Sequence, residues 1–374
     1  MDAKVLMSHL PGIDRASFGD DESARMQTLL EARALVERLE KPWEKVDRMV
    51  WLQPTLLLTV KIASDMGLFA ALSSTPQNSE QLGKATNADP ILVSRLLRML
   101  AAGSVVEEVD VDAYIESEFS RSLRDRHGLV SGVHHFWDVG VQRTEKLPDY
   151  LRRTGYTNPS DAAHPPFESF TGTASYWEWH RSHSEAHANF NSFLSSIRVG
   201  QPPWPSYYPV SQLLEGHDGS GPLCVDVGGG KGRDLKHLAD AVHDDKARLV
   251  LQDLQPVIDE AKREQLPPQI ELLPHNFFDA QPCKGARAYF MHSILHDWPD
   301  AEGTKILLLE AVMPERIKDV KPRMAALDIN MMANFAALER TEKQWRSLLE
   351  AAGLQCAKFW ELKGGSQGII EVDI

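Results

Sequence analysis

The feature that most constrains the fold is a glycine-rich turn between an apolar run and a helix-like segment. Residues 223–227 read Leu-Cys-Val-Asp-Val, and Gly228, Gly229, Gly230 and Gly232 follow directly. Glycines let a backbone bend sharply and approach a ligand, and the helix that follows presents free N–H groups at its first turn. This order of strand, turn and helix predicts a ligand-binding α/β domain.

The remainder of the C-terminal half continues this alternation. Short apolar runs at 248–254, 270–273 and 288–295 are separated by helical segments, which predicts a parallel sheet. Two later runs, 357–362 and 368–373, are joined by a pair of glycines and predict an antiparallel hairpin at the sheet edge. The predicted fold class is therefore α/β, with a doubly wound, Rossmann-like sheet.

Two carboxylates near the turn indicate which ligand it holds. Asp226 precedes the glycines, and Arg233 stands where a dinucleotide fingerprint requires a small residue. An acid at 226 suits a positively charged amino group, as in the methionine half of S-adenosylmethionine (SAM), and opposes a pyrophosphate. Asp253, at the end of the second run, is placed to accept both ribose hydroxyls, although a helix cap is the alternative reading. SAM is favoured over a dinucleotide.

The N-terminal part is predicted to be helical. Helices are expected across residues 21–72, and two short helices within 79–102 precede a strand-like pair within 105–115. This is a winged-helix pattern. Because the second short helix offers only Arg95 and Arg98 and acidic residues follow it, we expect a structural role rather than DNA binding.

Four segments follow from these patterns. They are a flexible N-terminus (1–20), a winged-helix dimerisation domain (21–130), a helical substrate-enclosing segment (131–215) and a SAM-binding domain (216–374). The last boundary rests on the linker 216–222, which holds three glycines and a proline. Aromatic residues across 140–208 line a pocket or form interdomain core, and the sequence does not decide between these.

Composition excludes several classes of function. The 53 acidic and 40 basic residues give a net charge of −13, which disfavours nucleic acid as a partner. The most apolar run, 55–72, contains two charged residues and predicts a buried helix rather than a membrane span. The three cysteines form no CxxC pair, so we expect neither disulfides nor a thiolate metal site, and a cytoplasmic location fits.

The histidines do not predict a metal site either. His292 and His296 are four apart at a strand end, where side chains do not converge on one ion. His180, His183 and His187 can share a helical face, but no carboxylate or cysteine completes a site, so a solvated or cleft-lining row is expected.

Four motifs resemble the plant and fungal caffeate-type O-methyltransferase family. They are VDVGGGKG at 225–232, LVLQDL at 249–254, HDWPD at 296–300 and ERTEKQW at 339–345. The resemblance covers nearly the whole chain. It implies a homodimer with an N-terminal winged helix, a SAM-binding sheet of strand order 3-2-1-4-5-7-6, and a small aromatic or polyketide-like substrate.

The resemblance also implies a catalytic set, with His296 as general base and Glu310 and Glu339 flanking it. A phenol with a pKa near ~10 and an imidazole near ~6.5 leave roughly 5 kcal/mol against full proton transfer. A glutamate bonded to the far ring nitrogen would fix the tautomer and stabilise the imidazolium. Taken alone, His296 would be interpreted as a loop histidine bonded to backbone, and the four motifs together favour the base.

The glycine turn and the resemblance together assign the cofactor to one set of residues. These are Asp226, Gly228, Gly229, Gly230, Asp253, Asn276, Phe277 and His292. Asn276 stands where the family usually has an acid for the adenine amino group. His292 stands where the family has a basic residue, so its charge depends on pH.

One stretch departs from the family. Only thirteen residues separate His296 from Glu310, close to the minimum for a helical crossover between parallel strands. We therefore expect either that strand five is shortened or that Glu310 does not reach the histidine.

Three functions remain open at this stage. The first is an O-methyltransferase acting on a phenol or enol of a secondary metabolite. The second is a methyltransferase-like pericyclase that keeps SAM without transferring its methyl group; His134 and His135 could then polarise the substrate, or they are simply a helix-face pair. The third is a non-catalytic dimeric regulator. The segment 331–335, Met-Met-Ala-Asn-Phe, fits either an acceptor pocket or core packing.

Overall fold

The chain divides into two compact units, Met1–His134 and His135–Ile374. A computed structural model describes residues 12–125, 127–173, 175–197, 202–215, 217, 219–242, 247–295, 307–316, 322–361 and 367–373. The predicted segment 131–215 thus belongs almost entirely to the second unit, together with the sheet. Its substrate-enclosing role stays a prediction.

The first unit is mainly helical. A 3-10 turn at Ala16–Phe18 comes first, and a π-helical segment, Arg48–Leu52, joins the second helix to the third. The helices are α1 (Glu22–Leu39), α2 (Pro42–Asp47), α3 (Gln53–Asp65), α4 (Leu68–Ala71), α5 (Ser79–Thr86), α6 (Pro90–Ala102), α7 (Glu118–Asp125) and α8 (His127–His135). No helix in the described part of the chain is long and apolar enough to span a membrane.

The helices and strands behind the winged-helix prediction are present. After α5 and α6, β1 (Val106–Asp110) pairs antiparallel with β2 (Ala113–Glu116). Asn78 and Asp89 cap the two helices by accepting backbone N–H groups. Leu97 of α6 is fully buried in the core of this unit. Assignment to the winged-helix class stays a prediction.

Helices α1 and α2 and the π segment expose an unusual amount of apolar surface. None of the residues of these three elements is buried within the described chain. Leu39, Trp43 and Trp51 are 70%, 65% and 70% exposed. Large apolar side chains grouped in this way are typical of an interaction surface.

The second unit is built on one sheet. Its strands are β3 (Cys224–Val227), β4 (Leu249–Asp253), β5 (Ile270–Pro274), β6 (Ala288–His292), β7 (Leu307–Met313), β8 (Arg340–Thr341), β9 (Gln355–Glu361) and β10 (Gln367–Asp373). The order is β5-β4-β3-β6-β7-β10-β9, with the short β8 beside β7. Strands β3 to β7 are parallel, and β10 is antiparallel to both β7 and β9. Counted from β3 without β8, this is 3-2-1-4-5-7-6, so the predicted order and edge hairpin are confirmed.

Helices cover this sheet and extend the unit before it. They are α9 (Gln142–Arg153), α10 (Pro166–Thr171), α11 (Tyr176–Ser182), α12 (Ser184–Ile197), α13 (Ser211–Leu214), α14 (Arg233–Val242), α15 (Gln255–Ala261), α16 (Pro322–Phe335) and α17 (Glu342–Ala351). Leu238 of α14 and Ile258 of α15 are fully buried in the core that includes β3 and β4. Thr341 and Gln344 form a capping box at the start of α17.

One strand prediction needs correction. Strand β6 ends at His292 rather than 295, because Ser293 has a positive φ of 54° and the next two amides bond to the Glu310 side chain. Strand β7 spans seven residues and contains Glu310. The expectation that strand five is shortened or that Glu310 does not reach His296 stays a prediction. The crossover from 296 to 306 lies outside the described residues.

Candidate active site

The sequence-predicted cofactor residues meet at the carboxyl edge of the parallel strands. Gly228 follows β3, Asp253 ends β4 and His292 ends β6. Strand β3 lies between β4 and β6, so the three ends are neighbours. Ligands of doubly wound sheets bind at this edge, where the strand order reverses.

The glycine turn is fastened to strand β4. The amides of Gly228 and Gly229 donate to the carbonyl oxygen of Gln252 at 2.8 and 3.1 Å. The amide of Gly230 donates to Oδ2 of Asp253 at 2.9 Å. Gly228 and Gly230 have φ values of +73° and +59°, which favour glycine. The turn therefore keeps one shape relative to the neighbouring strand.

The side chain of Asp253 also holds the backbone at this edge, a role that the sequence analysis did not predict. Its Oδ1 accepts the amide of Leu254 at 2.7 Å while Oδ2 accepts Gly230. Burial raises the pKa of its carboxyl, and these two backbone N–H groups oppose the rise. Each oxygen still has a free lone pair with which to accept a ligand hydroxyl.

Asp226 lies directly under the turn. Its side chain is fully buried. A Cβ added at Gly229 would lie 2.4 Å from Oδ2 of Asp226 and 2.5 Å from Cδ1 of Leu251. Only glycine at this position allows the backbone of the turn to approach the Asp226 carboxylate so closely. Backbone amides and a buried acid are thereby placed side by side, as a ligand-binding turn requires.

The end of β5 carries the next two predicted residues. Oδ1 of Asn276 accepts the amide of Phe278 at 3.2 Å, so this exposed side chain shapes the turn after the strand. Phe277 is half-buried and packs on the cluster around Val225. Both residues lie at the predicted edge, and their contact with adenine stays a proposal.

His292 is held by two residues that the sequence reading did not select. Its Nδ1 lies 2.7 Å from Oδ2 of Asp234, and its Nε2 lies 3.3 Å from Nε2 of Gln367. Asp234 stands two residues after the glycine turn in the first turn of α14, a position that could have signalled it. A cleft beside the turn is lined by Trp204, Tyr207, Arg233, Asp234, His292 and Gln367.

Tyr207 presents a protonated hydroxyl to this cleft. Burial, helped by the nearby charge of Asp234, raises the pKa of its phenol to about 12. Trp204 donates its indole N–H to the carbonyl oxygen of Asp234 at 3.2 Å. The segment that contains Trp204 and Tyr207, just before the sheet, thus contributes part of the lining of this cleft.

The backbone just before His296 is held on both sides. Oε1 of Glu310 accepts the amides of Ile294 and Leu295 at 3.0 and 2.9 Å. Nη1 of Arg340 donates to the carbonyl oxygen of Leu295 at 3.4 Å. Glu310 therefore reaches the two residues that precede the predicted base, and Arg340 is a functional candidate that the sequence reading missed. His296 itself lies outside the described residues.

Glu339 stands one residue before Arg340 and is also buried. Its amide donates to Oδ1 of Asp328 on α16 at 2.9 Å. Arg340 and Thr341 form β8, which pairs with the end of β7, the strand that carries Glu310. Glu310 therefore lies within β7, and Glu339 directly precedes β8, the strand that pairs with the end of β7.

A histidine–aromatic cluster, consisting of His135, Tyr176, His180, Phe190 and Phe335, packs in the helical part of the second unit. His180 is fully buried, which excludes the solvated position, one of the two alternatives expected from sequence. Neither of its ring nitrogens has a hydrogen-bond partner among the described residues, and neither does Nδ1 of His135. Burial lowers the pKa of His180 to about 3 and that of His135 to about 4. Both imidazoles are therefore neutral at pH 7.

The described residues contain no group of three or more His, Cys, Asp or Glu able to hold a metal ion.

We expect Gly229→Ala to destabilise the protein by about 1–3 kcal/mol, because the new methyl group overpacks against Asp226 and Leu251. Gly230→Asn is the matched control. No atom lies within 4 Å of a Cβ at Gly230, and asparagine tolerates a positive φ. Urea denaturation of both variants measures the difference, and equal losses would contradict the steric explanation.

We expect stability to fall as the pH drops from about 6.5 towards 4. The unfolded chain protonates its histidines near ~6.5, whereas folding keeps His135 and His180 neutral to much lower pH. The unfolded state then binds more protons, and the loss is on the order of a few kcal/mol. Thermal melts between pH 7.5 and 4.5 should show a shallower slope for His180→Phe. The exposed-site control His183→Gln should keep the wild-type slope, and an unchanged slope in His180→Phe would refute the assignment.

Comparisons with known proteins agree with this architecture. Residues 164–355 match the O-methyltransferase domain family. The chain is 33% identical to the O-methyltransferase mfmE of Annulohypoxylon moriforme, over 99% of this chain and 95% of the relative. It is similar to the solved structure of LepI in complex with SAM, at 28% identity and a TM-score of 0.88, over 100% and 99% of the two chains. A structure described as a pericyclic reaction enzyme has the same identity and TM-score, over 99% and 98%. The chain is an enzyme of the SAM-dependent O-methyltransferase family.

Proposed function

We propose that this enzyme methylates a phenolic or enolic hydroxyl of a small, planar secondary metabolite, with His296 as general base. The observation that carries the proposal is the double attachment of Leu295, through Glu310 at its amide and Arg340 at its carbonyl. These bonds fix the backbone immediately before His296. Catalytic groups need such fixed support, since a small displacement of the base weakens proton removal sharply.

The residues at the carboxyl edge fit the cofactor. Asp253 would accept the ribose hydroxyls, Asp226 would face the amino group, and Asn276 and Phe277 would lie towards adenine. The N-terminal turn of α14, which follows the glycines directly, would face the carboxylate of the methionine part. When bound, SAM supplies an electrophilic methyl group on a positively charged sulfur.

His296 would take the proton of the acceptor hydroxyl. Because an imidazole is a weaker base than a phenolate, this transfer needs help from a nearby negative charge. Glu310 and Glu339 are both buried and supply two carboxylates, one within β7 and one just before β8, which pairs with β7. They would orient the imidazole and stabilise its protonated form.

We expect His296→Ala to lower methyl transfer by roughly 10²–10⁴-fold, the usual contribution of a general base. SAM binding measured by calorimetry should stay at the wild-type level, because His296 is assigned to the acceptor side. The exposed-site control His164→Ala should retain full activity. Methyl transfer at the wild-type rate in His296→Ala would refute the base assignment.

Asp253→Ala should give the opposite pattern. It removes both acceptors for the ribose hydroxyls and also releases Gly230, so SAM affinity should fall by at least about tenfold, the value of one or two lost charge-assisted bonds. Calorimetry with SAM and with its demethylated product tests this. A variant that is folded yet binds both normally would exclude the ribose role.

A pericyclase is the second candidate. It is favoured by the similarity to a pericyclic reaction enzyme and by the neutral, buried imidazoles of His135 and His180. In that case the acceptor would be isomerised at constant mass and SAM would persist. Mass spectrometry of the product formed with labelled SAM distinguishes the two, since methyl transfer adds the label. Membership of an enzyme family leaves the regulator hypothesis without support.

We also propose that the enzyme is a homodimer formed through α1, α2 and the π segment that follows. Exposed Trp43 and Trp51 lie in these elements, and large aromatics are the residues enriched at interfaces. Light scattering should show a dimer that Trp51→Glu converts to monomer. Arg95→Glu, an exposed change on α6 and outside these three elements, is the control and should remain dimeric. A wild-type monomer at micromolar concentration would exclude the proposal.

A further inference from the structure

Arg143 of α9 is a buried cation whose charge is unmatched within the described chain. Its side chain is 5% exposed relative to a free residue. Nε donates to the carbonyl oxygen of Val139 at 3.0 Å, and Nη1 donates to Oδ1 of Asn334 on α16. Both acceptors are neutral, and no described carboxylate forms an ion pair with it. A guanidinium has five N–H donors, so these two bonds leave most of its capacity unused.

Such a charge is costly to keep in a protein interior. Burial lowers the pKa of Arg143, but a guanidinium remains protonated in proteins. Buried charges are normally paired, and a buried group left unsatisfied calls for an explanation. An anion that arrives with a ligand would satisfy it.

The surroundings of Arg143 suit a planar ligand. Its guanidinium carbon lies 5.9 Å from the ring centre of Tyr176. Tyr176 in turn lies 4.9 Å from the ring of Phe335, the residue after Asn334, and 4.4 Å from that of His180. Aromatic rings on two helices therefore lie beside the cation, and such rings are the side chains on which flat molecules stack.

The same region holds unused hydrogen-bonding groups. Both ring nitrogens of His180 and Nδ1 of His135 lack partners among the described residues. The two rings lie 5.8 Å apart, and the charge of Arg143 acts on both. A neutral imidazole offers one donor and one acceptor. The cluster can thus bond oxygen atoms of a ligand as well as enclose it.

We infer that Arg143 binds a delocalised oxyanion of the methyl acceptor, either a carboxylate or the ionised enol of a 1,3-dicarbonyl, at a position other than the methylated hydroxyl. Two coplanar oxygens match the fork of a guanidinium, which a lysine cannot reproduce. Arg143 is then a specificity-determining residue. The inference rests on the proposed function and narrows its substrate class to acidic aromatic or polyketide-like acceptors.

The test measures acceptor binding rather than turnover. Protein saturated with S-adenosylhomocysteine is titrated, by tryptophan fluorescence, with monocyclic, bicyclic and tricyclic hydroxyaryl carboxylic acids and with their methyl esters. A hydroxypyrone and its methyl ether form the enol arm. We expect at least one ionised member to bind about tenfold or more tightly than its neutral partner. Whichever arm shows the preference identifies the source of the oxyanion.

Variants then assign the preference to Arg143. Arg143→Gln should bind the ionised and neutral partners equally, and Arg143→Lys should recover only part of the preference. Arg153→Gln, an exposed change at the end of the same helix, should behave as wild type. Thermal melts and S-adenosylhomocysteine affinity in Arg143→Gln show that the protein is folded and its cofactor edge intact. If Arg143→Gln does not fold, Arg143→Lys decides: a full wild-type preference in this variant refutes the fork geometry.

Three results overturn the inference. They are equal binding of ionised and neutral partners by the wild type, a preference that survives in Arg143→Gln, and no binding by any ionised probe. Failure of the proposed function would give a different experimental result. The wild type would then not bind S-adenosylhomocysteine, or it would transfer no methyl group to any acceptor. The two failures are therefore distinguishable.

Discussion

The attachment of the glycine turn to strand β4 is the constraint on which the cofactor edge depends. Two amides of the turn bond to the Gln252 carbonyl and a third bonds to Asp253. The turn approaches Asp226 so closely that no side chain fits at Gly229. One short segment therefore sets the positions of both carboxylates assigned to the cofactor. This arrangement buries the carboxyl group of Asp253, and burial raises its pKa.

A second set of bonds connects this edge to the catalytic side. A Cβ at Gly228 would lie 2.7 Å from Cδ1 of Ile294, so the turn and the segment after β6 are in contact. Glu310 holds the amides of that segment and Arg340 holds its last carbonyl before His296. A shift in either the turn or β7 would therefore move the backbone next to the proposed base. The residues proposed for catalysis and those proposed for the cofactor are therefore coupled through packing rather than through sequence proximity.

Much of the second unit follows from local pattern. The positions of β3, β4 and β5, the sheet order, the edge hairpin and the capping box at Thr341 were predicted correctly from apolar runs, glycines, capping residues and a family resemblance. The end of β6 was not, because its last apolar residues continue the strand pattern, and only the Glu310 carboxylate turns their amides out of the sheet. Hydrophobic periodicity and strand propensity depend on neighbours along the chain. The hydrogen bond from Ile294 to Glu310 joins residues sixteen apart in sequence, so these patterns do not predict it.

The sequence by itself determined the α/β class, the family and the residue types at the cofactor edge, since glycines and acids at fixed spacing reflect strictly local backbone requirements. Only the tertiary structure showed that Asp234 and Gln367 hold His292 and that Arg340 supports the segment before His296. It also showed that Arg143 and His180 are both buried. These contacts join residues far apart in the chain. Burial and charge balance are properties of the packed molecule, so the pattern of neighbouring residues in the sequence does not predict them.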